Sequence, residues 1–336
     1  MSGALVALAT AFTIAVILTP LLRRVAHRVG YLDVPGTNSS HEIPVPRSGG
    51  YAIVLGIIVA TLVAGGPGDR DMAVILAGAA ALAVVAAIDE LRALPRFGRF
   101  VVQILIAAAI AYGGHVILAR ISLPYGIDVR LGTLAGVAAI VWVVGMINAY
   151  NFMDGLNGMA SVEGIVCGIA FALLSLSIDD SAGAIVAAAA AGACAGFLPW
   201  NLPSGSIFMG DVGSAGLGFL FALLSLRLAS IGVPFVATAL PLTPFLFDSS
   251  ITVLRRAAAG ERFFATRHRS HFYQRLNRMG VRHGQVTMVY GLLALVSSAV
   301  ALTYTTVADG LKAIMLLGVL AMHIALAAWV TAREHR

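Results

Sequence analysis

Charged side chains are scarce in this sequence: Asp, Glu, Lys and Arg make up 11% of 336 residues. A soluble domain carries about a quarter. Hydrophobic residues reach 59% and the mean hydropathy is +0.92. A chain of this size cannot hide so much apolar surface inside a water-soluble globule, so that class is excluded. Cysteine is nearly absent as well. Cys167 and Cys194 both lie within apolar runs, where core packing accounts for them. Without a CxxC pair, neither a disulfide framework nor a thiolate metal site is supported. No P-loop, GxGxxG turn or HExxH pair occurs, which argues against ATP-driven transport and zinc hydrolysis. No internal repeat or low-complexity linker divides the chain, so a single domain over 1–336 is expected.

Long apolar runs are what the sequence does contain. A membrane-crossing helix needs roughly 20 mostly apolar residues. Such runs fall near 3–22, 50–66, 71–88, 99–119, 131–147, 161–178, 182–198, 213–230, 233–252, 285–306 and 310–330. The expectation is an all-α polytopic membrane protein with about eleven spans. The first run has no basic segment before it and is followed by Arg23 and Arg24, so it reads as a retained span rather than a cleaved signal. With eleven spans, alternate loops share a side. Most of the 22 Lys+Arg fall in one set: 23–49, 89–98, 148–160, 199–212, 253–284 and the C-terminus. The positive-inside rule puts that set in the cytoplasm and the N-terminus outside. The unusual polar clusters lie in the same set. A transport path would place them nearer the midplane, on broken helices.

Five clusters could carry chemistry. In "DVPGTNSSHEIPVPRSGG", residues 33–50, three prolines enforce an extended path, His41 and Arg47 offer donors, and Gly49-Gly50 permits close backbone approach. In "IDELRALPRFGR", residues 88–99, Asp89 and Glu90 adjoin at the end of an apolar helix, where carboxylates oppose the helix dipole. A cation is implied there, either Mg²⁺ or one of Arg92, Arg96 and Arg99. In "NAYNFMDGLNGMAS", residues 148–161, Asn148, Asn151, Asp154 and Asn157 recur every third residue. Desolvating three amides and a carboxylate is costly unless something binds them. In "PWNLPSGSIFMGDVGSAGLGF", residues 199–219, Asp211 stands among glycines at the start of a span, with Phe208 three residues earlier. Asp211 is either a helix cap or an acid beside a metal and a phosphate. Phe208 is either an interfacial anchor or a platform for a base.

The fifth cluster, residues 247–283, carries eight Arg and three His. Phe272, Leu276 and Met279 recur in it at helical spacing, which predicts an amphipathic helix lying on the membrane. The cationic groups suit either an anchor to anionic lipid or a clamp for phosphates. Asp248, seven residues before Arg255, is either a structural partner of that arginine, the favoured reading, or a catalytic acid. Together, carboxylates, an Arg/His loop and an aromatic on one face are the parts needed for Mg²⁺-assisted phosphoryl transfer.

These motifs resemble the polyprenyl-phosphate N-acetylhexosamine-1-phosphate transferases, which include the O-antigen-initiating enzymes and the phospho-N-acetylmuramoyl-pentapeptide transferases. The resemblance runs over about residues 20–285. "NAYNFMDGLNGMA" and "FMGDVGS" carry it most specifically, and "SSHEIPVPRSGG" and "RHRSHFYQRL" look most like the O-antigen-initiating branch. It implies attack of undecaprenyl phosphate on the β-phosphorus of a UDP-N-acetylhexosamine, GlcNAc or a deoxy analogue such as FucNAc, with UMP leaving. Mg²⁺, or Mn²⁺ in its place, would be the cofactor. The setting would be the bacterial inner membrane, with lipid as partner and no nucleic acid. Relatives are often dimers, so a homodimer is compatible.

By the same resemblance, Asp211 matches the metal-binding aspartate, Asp89 the first acid of an Asp-Asp pair and proposed base, and Asp154 the acid of the Asp-Gly loop. Asn151, Asn157, Asn201 and Phe208 match the nucleotide-sugar side. His41, Arg47, His268, Arg269 and His271 match the groups near the diphosphate and lipid phosphate. Three departures stand out. Glu90 replaces the second Asp of the pair; with Asp89 and Asp154 it is expected to be catalytic, its longer carboxylate still within reach of Mg²⁺. Ala93 stands where the peptidoglycan branch has Lys, and "RHRSH" lacks that branch's three consecutive histidines. Asn38 stands where relatives usually have Arg.

Overall fold

The computed structural model describes residues 1–35, 43–65, 68–92, 94–114, 116–202, 204–261 and 269–334. The elements are α1 (Ser2–Val29), β1 (Leu32–Asp33), β2 (Val45–Pro46), α2 (Gly49–Val63), α3 (Arg70–Arg92), α4 (Arg96–Gly113), β3 (Arg120–Ser122), β4 (Asp128–Arg130), α5 (Ala135–Met153), α6 (Met159–Leu176), α7 (Ser181–Asn201), α8 (Gly210–Ser230), α9 (Phe235–Ala239), α10 (Thr243–Ala258), α11 (Phe272–Arg278), α12 (His283–Tyr304) and α13 (Asp309–Glu334). Helix dominates because uninterrupted apolar runs leave the backbone no solvent partner, and only helices satisfy it internally.

Among the described residues, ten helical stretches are long and apolar enough to cross a membrane, with α9 and α10 forming one of them over Phe235–Ala258. The eleventh expected span is α2, which has 15 residues. At 1.5 Å per residue it is about 22 Å long, short of a hydrocarbon core of about 30 Å. Every apolar run thus became a helix, but one of the eleven falls below spanning length. The chain is a multi-pass membrane protein. Side chains such as Leu5, Ile17, Leu105, Ile314 and Leu317 are exposed on the outside of the bundle, where lipid would meet them.

Two packing features set the frame. Helix α8 is buried along almost its whole length and is flanked by α3, α5 and α2. Against it and beside it, α7 packs tightly on α1. Ala187, Ala189 and Ala190 of α7 and Ala7, Ala11 and Ala15 of α1 are fully buried, and such small side chains let helix backbones approach closely. The two short sheets sit at opposite ends. Strands β1 and β2 pair antiparallel, Leu32 with Pro46 and Asp33 with Val45, and so tie the end of α1 to the start of α2. Strands β3 and β4 form a hairpin with Ile121 opposite Val129.

The fifth cluster corrects an expectation. Helix α11 is seven residues long and buries Phe272, Tyr273, Arg275 and Leu276. Its apolar face packs on protein, not on lipid. Arg275 Nε donates to Glu334 Oε2 at 2.8 Å and Arg278 Nη2 to Glu334 Oε1 at 2.9 Å, which lashes α11 to the end of α13. Asp248 likewise does not pair with Arg255. It caps α11, accepting from the main-chain N–H groups of Phe272 at 3.0 Å and Tyr273 at 3.1 Å.

Candidate active site

The ends of α3, α5 and α7, the starts of α4 and α8, and α11 surround a cavity of about 670 Å³. Main-chain hydrogen bonds hold the loop before α8 at this place. Phe208 N–H donates to Pro46 O at 2.7 Å, Gly49 N–H to Phe208 O at 3.0 Å and Gly50 N–H to Met209 O at 2.7 Å. That ribbon needs glycine: a Cβ on Gly50 would lie 2.2 Å from Gly213 N, and one on Gly49 2.2 Å from the Phe197 ring. The close approach expected of Gly49-Gly50 is therefore what seats Phe208 and Asp211 on the cavity wall.

Five acids line the cavity: Asp33, Asp89, Glu90, Asp154 and Asp211. Four arginines face them: Arg47, Arg96, Arg99 and Arg269. Asp89 is buried; its Oδ1 accepts from Leu94 N–H at 2.8 Å and its Oδ2 from Arg99 Nη1 at 2.8 Å. The same Nη1 lies 3.5 Å from Asp211 Oδ2. Asn151 Nδ2 donates to Asp211 Oδ1 at 2.9 Å and to Ser214 Oγ at 3.0 Å, so α5 aims the Asp211 carboxylate across the cavity. Asp154 follows the last turn of α5 as its C-cap. Burial, with the negative charges of Asp211 and Glu90, pushes its carboxyl well above the ordinary carboxylate range.

Most of the expected residues meet here. Asp89, Glu90, Asp154, Asp211, Asn151, Asn157, Asn201, Phe208, Arg47 and Arg269 all line the cavity. Asn201 does so with little exposed surface. Its Oδ1 accepts from Gly158 N–H and its Nδ2 donates to Ile207 O at 2.9 Å, so it braces two loops against each other. His271 is the correction. It is 2% exposed and lies behind the wall, its Nδ1 3.1 Å from Asp248 Oδ1. His41 and His268, like Asn38 and Ala93, lie outside the described residues. Asn148 points away from the cavity, donating to Gln103 Oε1 at 2.8 Å within the bundle.

The sequence reading did not single out Tyr31, Asp33, Tyr273, Gln274 or Asn277. The last three stand on the wall because Asp248 fixes the start of α11. No local pattern could have found Tyr31, which meets Glu90 across 59 positions of chain.

Among the described residues, no three His, Cys, Asp or Glu side chains converge closely enough to cage an ion. Mg²⁺ does not require a cage. It binds through one or two carboxylates and completes its shell with water and phosphate oxygens. The Asp211 carboxylate, 40% exposed to the cavity, offers hard oxygen donors that fit this demand.

Residues 72–229 match glycosyl transferase family 4. The chain is 29% identical over 290 residues to the probable undecaprenyl-phosphate N-acetylglucosaminyl 1-phosphate transferase of Bacillus subtilis, covering 84% of this chain and 79% of that one. It is 29% identical over 330 residues to the decaprenyl-phosphate N-acetylglucosaminephosphotransferase of Mycolicibacterium smegmatis, covering 88% and 80%. It is 32% identical over 271 residues to the phospho-N-acetylmuramoyl-pentapeptide-transferase of Mycolicibacterium gilvum, covering 66% and 75%. The helical membrane bundle, its acid- and arginine-lined cavity and these matches together place the chain in the class of membrane transferases. The chain belongs to glycosyl transferase family 4, the polyprenyl-phosphate hexosamine-1-phosphate transferases.

Proposed function

We propose that the protein transfers an N-acetylhexosamine-1-phosphate, GlcNAc or a deoxy analogue such as FucNAc, from a UDP-sugar to undecaprenyl phosphate and releases UMP. One observation carries this reading: Asp89, Asp154 and Asp211 share one cavity with Arg47, Arg99 and Arg269. A diphosphate needs both signs around it, cations for its oxygens and acids for the metal that accompanies it. Relatives that match over 84% and 88% of this chain are named for N-acetylglucosamine phosphate transfer to a polyprenyl phosphate. The product would start a lipid-linked surface polysaccharide such as O-antigen.

In this reading an oxygen of the lipid phosphate attacks the β-phosphorus of the nucleotide-sugar. The bond from that phosphorus to the bridging oxygen breaks, and UMP leaves with the electron pair. Asp89 takes any proton the lipid phosphate carries. Arg99 and Arg269 hold phosphate oxygens in line. Phe208, Asn151, Asn157 and Asn201 shape the nucleotide-sugar end. Mg²⁺ bound at Asp211 would neutralise diphosphate charge. The Lys+Arg bias of the loops supports a cavity open to the cytoplasm of a bacterial inner membrane, with the N-terminus outside.

The 32%-identical pentapeptide transferase keeps a second donor in view. Ala93 and the sequence "RHRSH" weigh against it. The test is UMP release by the purified protein in detergent with undecaprenyl phosphate, Mg²⁺ and a panel of UDP-N-acetylhexosamines. Lipid-dependent release with UDP-GlcNAc or a deoxy analogue is expected. Release only with the UDP-muramoyl-pentapeptide would move the protein to the other branch. No release with any donor would overturn the transferase reading.

A further inference from the structure

Glu90 stands where the family usually has Asp, and its extra methylene has a visible use. Oε1 accepts from the main-chain N–H of Asp211 at 2.7 Å. Oε2 accepts from the hydroxyl of Tyr31. The main-chain carbonyl of the same residue accepts from Arg47 Nη2 at 3.0 Å, and the Arg47 guanidinium sits 5.6 Å over the Tyr31 ring. One residue at the end of α3 thus ties together the exit of α1, the end of β2 and the first turn of α8.

The α8 side of this joint is built to receive it. Gly210 has φ +74, and a Cβ there would lie 2.7 Å from Glu90 Oε1 and 2.5 Å from Arg47 O. Asp211 N–H is one of the donors that a helix start leaves unsatisfied, and the helix dipole favours a carboxylate at that point. Met209, the N-cap of α8, supplies no side-chain cap of its own. Glu90 is that cap, delivered from another helix.

We propose that Glu90 is a positioning residue: its side chain caps α8 and clamps Tyr31, which fixes the direction of the Asp211 carboxylate, and it acts through these contacts rather than as a metal ligand or a base. Both oxygens are already engaged by fixed donors. An aspartate at this position, about 1.5 Å shorter, could satisfy one of these donors but not both. The inference rests on the proposed role of Asp211 in transfer.

Two conservative variants separate this role from direct participation. In Glu90→Gln the amide oxygen still accepts from Asp211 N–H and the amide nitrogen donates to Tyr31. A metal ligand or base would be destroyed by that change. In Glu90→Asp the charge and acidity remain but the reach is lost. Positioning therefore predicts that Glu90→Gln lowers kcat by less than about tenfold while Glu90→Asp lowers it by more than about a hundredfold. Tyr31→Phe should fall between them. Activity in the reverse order overturns the proposal.

A second readout does not depend on turnover. Hydrogen exchange of peptides spanning 208–214, in detergent without added metal, should be faster than wild type in Glu90→Asp and close to wild type in Glu90→Gln. Unchanged exchange in Glu90→Asp, from protein with a normal melting temperature, overturns the cap. If the wild type releases no UMP with any donor, the transferase reading fails while the exchange experiment still decides whether Glu90 holds Asp211.

Discussion

Tyr290 on α12 donates its hydroxyl to Asp248 on α10 at 2.5 Å, beneath the wall of the cavity. The Asp248 carboxylate also receives Thr252 Oγ1 at 3.2 Å, His271 Nδ1 at 3.1 Å and two main-chain N–H groups of α11. It is 1% exposed. This one acid fixes where α11 begins, and with it the places of Tyr273, Gln274 and Asn277. Tyr273 Oη then reaches Phe152 O at 2.8 Å and joins that wall to the end of α5. Burial and the Asp248 charge hold the Tyr273 phenol well above its ordinary range, so it serves as a neutral donor.

Asp248→Ala should therefore strand several buried donors at once. Breaking a buried network of this kind costs about 3–5 kcal/mol, and the apparent melting temperature in detergent should fall by about 5–10 °C. Donor KM should rise as the wall loosens. Asp248→Asn keeps the shape and one acceptor and should fall less. A melting temperature unchanged in both variants would show that α11 is held by Glu334 and not by Asp248.

Arg99 bridges Asp89 and Asp211, and that position is where transferring phosphates would need a cation. Arg99→Ala leaves two acids facing each other with no counter-charge between them. UMP release should fall by about a hundredfold or more, the usual scale for loss of one preorganised electrostatic group. Arg99→Lys restores a point charge without the fork geometry and should recover part of the rate. Steady-state kinetics across an Mg²⁺ titration checks this. Equal rates in Arg99→Ala and wild type at saturating Mg²⁺ would remove Arg99 from the chemistry.

Helix positions were legible in the sequence because an apolar run has one structural solution in lipid. The cavity was legible because polar groups such as Asp154 and Asp211 are costly at a membrane edge and had to be explained. What the sequence could not disclose was partner choice. The Phe272, Leu276 and Met279 stripe was read as facing lipid, yet periodicity reports only that a face is apolar, not whether lipid or protein covers it. The partner proved to be protein because Glu334, 59 residues beyond Arg275, draws the helix inward. His271 matches, by resemblance alone, the groups near the diphosphate, yet the buried Asp248 holds its Nδ1. Arg99 was visible only as one of several loop arginines.

Asp154 tests the candidate site most directly. Its carboxyl lines the cavity, disfavoured in its charged form by burial and by Asp211 and Glu90. Asp154→Asn is nearly isosteric and removes that unfavourable charge, so the folded protein should persist, with a melting temperature equal to or above wild type. UMP release should drop by at least about a thousandfold. Full activity in the variant would take Asp154 out of the site.

The opposite end of α8 offers a pH test of stability that leaves the cavity untouched. Arg227 is buried and donates to Asp180 Oδ1 at 2.9 Å and to Asp69 Oδ2 at 2.5 Å, with Asp71 3.6 Å away. Burial alone would raise the Asp69 carboxyl, but its hydrogen bonds to Arg227 and to main-chain N–H groups outweigh that and hold it below the ordinary range. A lowered folded-state pKa adds stability that is present above the unfolded carboxyl value of about 3.9 and is lost as pH falls through the folded value. Asp69 is partly exposed, so the effect is small. Asp69→Asn should lower the apparent melting temperature by about 2–4 °C at pH 7. The gap from wild type should start to narrow only as the buffer is taken below about pH 4 and should close as the pH falls through the folded value, because wild type loses the same interaction by protonation. A gap that stays constant across that range would show that Asp69 contributes by packing alone.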